Sequence, residues 1–255
     1  VSTVTVMPSA PGGTRYKEVK EAMLAALTAQ EWKGGEVIPS EKRLAERFGV
    51  SIGTLRKAID ELCAENILIR HQGLGTFVAQ HRRDRHFFRF FRVARRDGER
   101  SYPVVTLVNY RKSQAPAAIA AKLGIEPGAR IITFTNALAL HERVVMVDTI
   151  TLPESIFPTL TETMLRDRPN TLYNFYQDAF GINVASTDER LRVARASDSE
   201  STLLGLPEGD PVLEIERIAY SINLKPVEYR LTHVNTQDYE YVASATKHGA
   251  ETGVA

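Results

Sequence analysis

The stretch from Pro39 to Val78 constrains the fold most, because helix stops and starts recur in it at short, regular spacing. Ser40 can cap a short helix whose inward residues are Leu44 and Phe48, and Gly49 supplies the left-handed residue that ends it. Ser51 then caps a second helix, with Leu55, Ile59 and Leu62 on one side and Gly53, Arg56, Lys57 and Asp60 on the other. Asn66 suits a left-handed helix end, Ile67 to Arg70 reads as a strand, Gly73 and Gly75 permit a tight hairpin, and Thr76 to Ala79 returns. Two short helices across a tight turn, followed by a hairpin, predict a winged helix-turn-helix. The small, basic start of its second helix fits a DNA major groove.

The same run resembles the GntR family of bacterial transcription factors. Tyr16 opens a first helix, Pro39-Ser40-Glu41 precedes the second, Val50-Ser51 and Thr54 open the recognition helix, and Gln72-Gly73-x-Gly75-Thr76-Phe77-Val78 forms the wing. The expected DNA-contact set is Ser40, Lys42, Arg43, Ser51, Ile52, Gly53, Thr54, Arg56, Lys57, Gln72 and Gly73. Within it Arg56 is the base reader, since a bidentate Arg–guanine pair gives roughly 1–3 kcal/mol of discrimination. Lys42 and Lys57 neutralise phosphates, and Gly73 lets the wing approach the minor groove. Ile52 and Gly53 depart from the family, whose members usually carry Arg and a small hydroxyl residue there, so the operator is expected to differ from the common one.

Val1 to Thr14 reads as a tail, and Tyr16, Val19, Met23, Ala26 and Leu27 mark one face of a first helix that ends before Gly34-Gly35. Residues 81–100 mix eight arginines with Phe87, Phe88, Phe90 and Phe91 and read as a connector whose phenylalanines pack on one or both domains. Charge is uneven: residues 15–100 hold 18 Lys+Arg against 12 Asp+Glu, and the remainder 14 against 19, which points nucleic acid to the front. Neither a signal peptide nor an 18-residue apolar run is visible, so a cytoplasmic location without a membrane partner is expected. The single cysteine, Cys63, reads as a small core residue of the recognition helix.

The rest of the chain, 101–243, shows an internal repeat. Leu123-Gly124-Ile125-Glu126-Pro127-Gly128 recurs as Leu204-Gly205-Leu206-Pro207-Glu208-Gly209, each copy followed by a long hairpin, Arg130–Leu152 and Val212–Val234. Two helix–hairpin units predict a pseudo-symmetric antiparallel sheet with helices on one side, an α+β architecture. This part resembles the UTRA effector-binding domain of the HutC-like GntR regulators, a fold similar to chorismate lyase. Pro103, Leu123-Gly124, Asp148 followed by Leu152-Pro153, Thr171-Leu172-Tyr173, Arg217-x-x-Tyr220, Pro226-Val227-Glu228 and Asp238 carry the likeness.

The resemblance implies a homodimeric regulator, a repressor released from an inverted-repeat operator on double-stranded DNA by a small-molecule effector. Its expected effector residues are Asn136, Asp148, Thr171, Tyr173, Arg217, Glu228 and Arg230. Many relatives carry an Arg-x-Arg pair for anionic ligands where Asn136 and Leu138 stand, and Ser where Val104 stands. The effector is therefore expected to be neutral, cationic, or a monocarboxylate paired with Arg217 or Arg230, and not a sugar phosphate. Six histidines without HExxH spacing and no Gly-x-Ser-x-Gly elbow predict no catalytic residues, no metal and no cofactor. A constitutive DNA-binding protein with a merely dimerising second domain, or a DNA-tethered lyase, are the alternatives.

Overall fold

The computed structural model describes residues 15–65, 67–79, 90–97, 101–169 and 171–243. These fall into two compact units, one drawn from 15–79, 169–186 and 219–226 and the other from the remaining described residues.

In the first unit, α1 (Arg15–Thr28), α2 (Glu41–Phe48) and α3 (Ile52–Ala64) are followed by a hairpin of β1 (Leu68–His71) and β2 (Gly75–Val78). The caps lie at the expected serines: Ser40 accepts from the Arg43 amide at 3.4 Å and Ser51 from the Thr54 amide at 3.2 Å. Gly49 ends α2 at φ +63°, a conformation that a side chain would strain. Helix α1 stops at Thr28, ahead of the glycine pair, and Gln30 takes the left-handed backbone there. Helix α3 ends on Glu65 at φ −80° without a left-handed cap; Asn66 lies outside the described residues. Val19, Met23, Leu27, Leu44, Leu55, Ile59 and Leu62 form the core, with Phe48 and Cys63 half-buried at its rim. Helix α6 (Leu172–Phe180) also belongs to this unit, and its Gln177 side chain donates to the Ala79 carbonyl at 3.1 Å.

The second unit is built on a six-stranded antiparallel sheet in the order β4-β5-β6-β9-β8-β7. Its strands are β4 (Val104–Gln114), β5 (Arg130–Leu140), β6 (Arg143–Pro153), β7 (Val184–Arg195), β8 (Pro211–Ser221) and β9 (Pro226–Val234). With α4 (Ala117–Leu123) and α7 (Asp198–Leu204), they form two copies of strand–helix–hairpin that meet where β6 pairs β9, as the repeat predicts, and a short helix α5 (Glu162–Arg166) follows the first copy. His141 and Glu142 turn β5 into β6 with φ of +49° and +64°, the backbone of a two-residue primed turn. Both helices pack on one face of the sheet: Leu123 lies against Ile131, and Leu204 against Val147 and Val212.

The other face carries Leu138, Met146, Ile215 and Val234 under a small two-stranded sheet of β3 (Val93–Arg95) and β10 (Tyr239–Tyr241). Part of the expected connector is thus a strand. Phe90 is buried and Phe91 packs against this second-unit core, whereas Phe87, Phe88 and five of the connector arginines lie outside the described residues.

Candidate functional site

The reading face of the first unit is assembled from three elements. The Glu41 carboxylate at the start of α2 takes Arg56 of α3 at 2.6 Å and Arg70 of the wing strand at 3.3 Å, and Arg70 also pairs with Asp60 at 2.5 Å. These groups are wet, with the Arg56 side chain 62% exposed, so each pair contributes little and exchanges readily for a phosphate or a base. Of the expected contact residues, Ser40, Lys42, Arg43, Ser51, Ile52, Gly53, Arg56, Lys57, Gln72 and Gly73 are exposed and Thr54 is half-buried. Ser51 and Thr54 also bond to each other at 2.9 Å, and Lys57 lies over the Tyr16 ring at 4.2 Å, so all three have structural work besides any contact with DNA. Gly73 and Gly75, at φ +75° and +113°, shape the wing turn, with Leu74 exposed at its tip. The charge asymmetry is sharper than the two-part count implies. Residues 15–79 hold ten Lys+Arg against nine Asp+Glu, so the basic surplus of the front lies in the connector.

In the second unit, cross-strand register places Asn136, Asp148 and Thr232 in one row across β5, β6 and β9. Thr232 Oγ1 donates to Asp148 Oδ1 at 2.6 Å, and Arg230 Nη1 to Asp148 Oδ2 at 2.9 Å. The same guanidinium grips Glu228 through Nε at 2.9 Å and Nη2 at 3.1 Å. All of this is buried: Glu228 is 0%, Asp148 2%, Asn136 3% and Thr232 4% exposed. Register shifts flank the row, one in β4 just past the Leu107–Asn136 pair and one in the β5–β6 ladder beyond Leu138. Bulges of this kind re-aim side chains next to functional sites.

Four expected effector residues, Asn136, Asp148, Glu228 and Arg230, therefore come together. Thr232 joins them; the alternation Glu228, Arg230, Thr232 along β9 is the signal that would have found it. Arg217 is engaged elsewhere, donating through Nε to Glu189 at 2.6 Å and through Nη2 to the Phe90 carbonyl at 2.6 Å, in a group completed by Arg92 and Tyr241. Burial pushes the Glu189 carboxyl up, but the Arg217 charge, the Tyr241 hydroxyl and Arg92 outweigh it and hold the group below the usual carboxylate range. Burial and the Glu189 bond push the Tyr241 phenol up. Thr171 and Tyr173 stand at the start of α6 in the first unit, where Tyr173 is buried with its ring 5.8 Å from that of Tyr176.

A winged helix-turn-helix with an exposed basic reading face, joined to an α+β sheet domain that buries a polar row, defines a DNA-binding regulator of the ligand-sensing class. Comparison with known proteins narrows this. The UTRA domain pattern matches residues 99–240, and that of the bacterial regulatory proteins of the gntR family matches residues 15–78. The chain belongs to the GntR-family regulators that carry a UTRA domain.

Among its relatives is the "Probable fructoselysine utilization operon transcriptional repressor" of Escherichia coli K12, 28% identical over 83% of this chain and 86% of that one. The HTH-type transcriptional repressor NagR of Bacillus subtilis is 24% identical over 89% and 93%. Among solved structures, the ligand-binding domain of a GntR-family regulator from Bordetella bronchiseptica superposes with a TM-score of 0.58 at 30% identity, covering 61% of this chain and 96% of that domain. The regulator YydK of Bacillus subtilis, at 19% identity and a TM-score of 0.54 over 90% and 99%, shares the fold. Among the described residues no helix is long and apolar enough to cross a membrane, and no group of three or more His, Cys, Asp or Glu side chains is placed to hold a metal.

Proposed function

We propose that the protein is a cytoplasmic transcriptional repressor that binds a short inverted repeat as a homodimer and is released when a small molecule engages the Asn136–Asp148–Thr232 row. The observation that carries this is the row itself: a polar cluster buried in the UTRA sheet of a chain whose other functional surface is an exposed helix-turn-helix. Relatives named as repressors supply the sign of regulation. Dimerisation follows because one recognition helix reads only a few base pairs and paired half-sites supply the missing specificity. At the DNA, Arg56 leaves Glu41 for a guanine edge, and Ile52, 43% exposed in the first turn of α3, meets a thymine methyl or a sugar.

The test is to select the operator from a random duplex library and then measure its affinity in the presence of a metabolite panel. A compound that lowers operator affinity at least tenfold in the native protein, and not in Asp148→Asn, supports the reading. Operator binding that no compound alters, in a protein whose dimer persists, would favour a constitutive DNA-binding protein.

A further inference from the structure

Asn136 Oδ1 is a buried acceptor with no hydrogen-bond partner among the described residues. An amide oxygen taken out of water without a partner is costly, so such a position persists where something else supplies the missing donor. Its cross-strand neighbour is Asp148, so an unpartnered amide oxygen and a carboxylate stand side by side on one face of the sheet.

The nearby cation does not reverse this polarity. Arg230 donates to Asp148 and to both oxygens of Glu228, and Arg217 donates to Glu189 and the Phe90 carbonyl. An incoming anion would have to take a guanidinium from a buried carboxylate, leaving that carboxylate uncompensated, which is strongly unfavourable. A donor meets an acceptor that is ready for it.

We propose that the effector is an amine- or amide-bearing small molecule, neutral or cationic, that donates an N–H to Asn136 Oδ1 with Asp148 beside it, and that it carries no phosphate at that end. This rests on the reading of the row as the effector site.

Two measurements on the full chain test it. In the first, Asn136→Leu, which keeps the branched shape and the number of side-chain heavy atoms and removes the orphan acceptor, is expected to raise the melting temperature of the ligand-free protein by about 2–4 °C. An unchanged or lower melting temperature would mean that the oxygen is already satisfied, and would overturn the proposal.

The second uses titration calorimetry with matched probes on one skeleton: D-glucosamine, N-acetyl-D-glucosamine, D-glucose, D-glucuronate and D-glucose 6-phosphate, with a parallel set built on 6-aminohexanol, hexane-1,6-diol and 6-hydroxyhexanoate. The amine or amide member of at least one set should bind tenfold tighter than its hydroxyl, carboxylate and phosphate counterparts. Asn136→Leu should abolish that preference, while Asn136→Asp, which can only accept, should keep or increase it. Loss of binding in Asn136→Asp, a tighter carboxylate or phosphate, or no binding by any amine or amide member, each counts against the proposal. A tighter anion whose binding still falls in Asp148→Asn leaves the row as the effector site with the wrong chemistry assigned. Binding unaffected by Asp148→Asn and Thr232→Val removes the site itself.

Discussion

The two candidate functional surfaces of this protein use the same residue types in opposite settings. On α3, Arg56 rests on Glu41 in water, at 62% exposure, in a contact that DNA can replace. On the sheet, Arg230 rests on Asp148 and Glu228 with both carboxylates buried, in contacts that nothing replaces cheaply. The first arrangement keeps a cation from collapsing onto its own helix while leaving it available. The second fixes the shape and polarity of a row. Surface pairs are worth about 0–1 kcal/mol, whereas breaking a buried pair by removing one partner costs about 3–5 kcal/mol. Exposure therefore decides which arginine is available to a partner and which is a strut.

The largest break in that contrast is Arg230→Met. It leaves Asp148 and Glu228 without the guanidinium they share, and should cost about 3–5 kcal/mol in urea unfolding. Next comes Arg56→Ala. Affinity for the selected operator should fall by about 1–3 kcal/mol and preference at one base position should relax, while binding to random duplex stays nearly the same. Lys42→Ala should weaken both alike and reduce the salt slope by about one. Equal losses on both DNAs for Arg56→Ala would remove it from base readout.

A third test uses pH on the buried side. Glu189 is held below its ordinary value of 4.5, so the stability it contributes is complete above that pH and is lost as pH falls through the lower folded-state value. Urea midpoints followed from pH 7 down to pH 3 should decline below about pH 4.5, and the decline should be shallower in Tyr241→Phe, which removes one of the groups that lower the carboxyl. The smallest effect belongs to Glu41→Gln. Stability should change by less than about 1 kcal/mol, because its two arginine partners are well exposed, and binding to random DNA should tighten as a negative charge leaves the reading face.

The winged helix was legible because its signals are local. Ser40, Gly49 and Ser51 act within one turn of their own positions, and the wing strands were displaced by only a residue. The pseudo-symmetric antiparallel sheet was legible through the 81-residue repeat, yet β7 was not read as a strand. The repeat maps β4 onto it, but its sequence is polar and it forms an edge that buries little, so no hydrophobic alternation marks it.

In the candidate site, Asn136 and Asp148 were found through their family spacing. Thr232 continues the alternation of Glu228 and Arg230 along β9, and was missed because nothing near it in sequence reveals its carboxylate partner 84 residues away. Arg217 was read as a ligand cation because nothing near it in sequence reveals Glu189, its partner on a neighbouring strand. Short-range capping chemistry can be read from a string of letters. Which buried charge neutralises which is settled only by the register of distant strands.

The seam where β6 pairs β9 has a consequence for how a ligand can lie. A sheet made of two like halves around a near two-fold axis could receive a small molecule equally well in either of two opposed directions. Position 136 in the first half corresponds to 217 in the second, and there the halves have parted: one holds an unsatisfied amide oxygen, the other a guanidinium already claimed by Glu189. Under the effector reading, a guest with distinct head and tail has one orientation open to it, and a molecule with two identical ends would satisfy only half of the site.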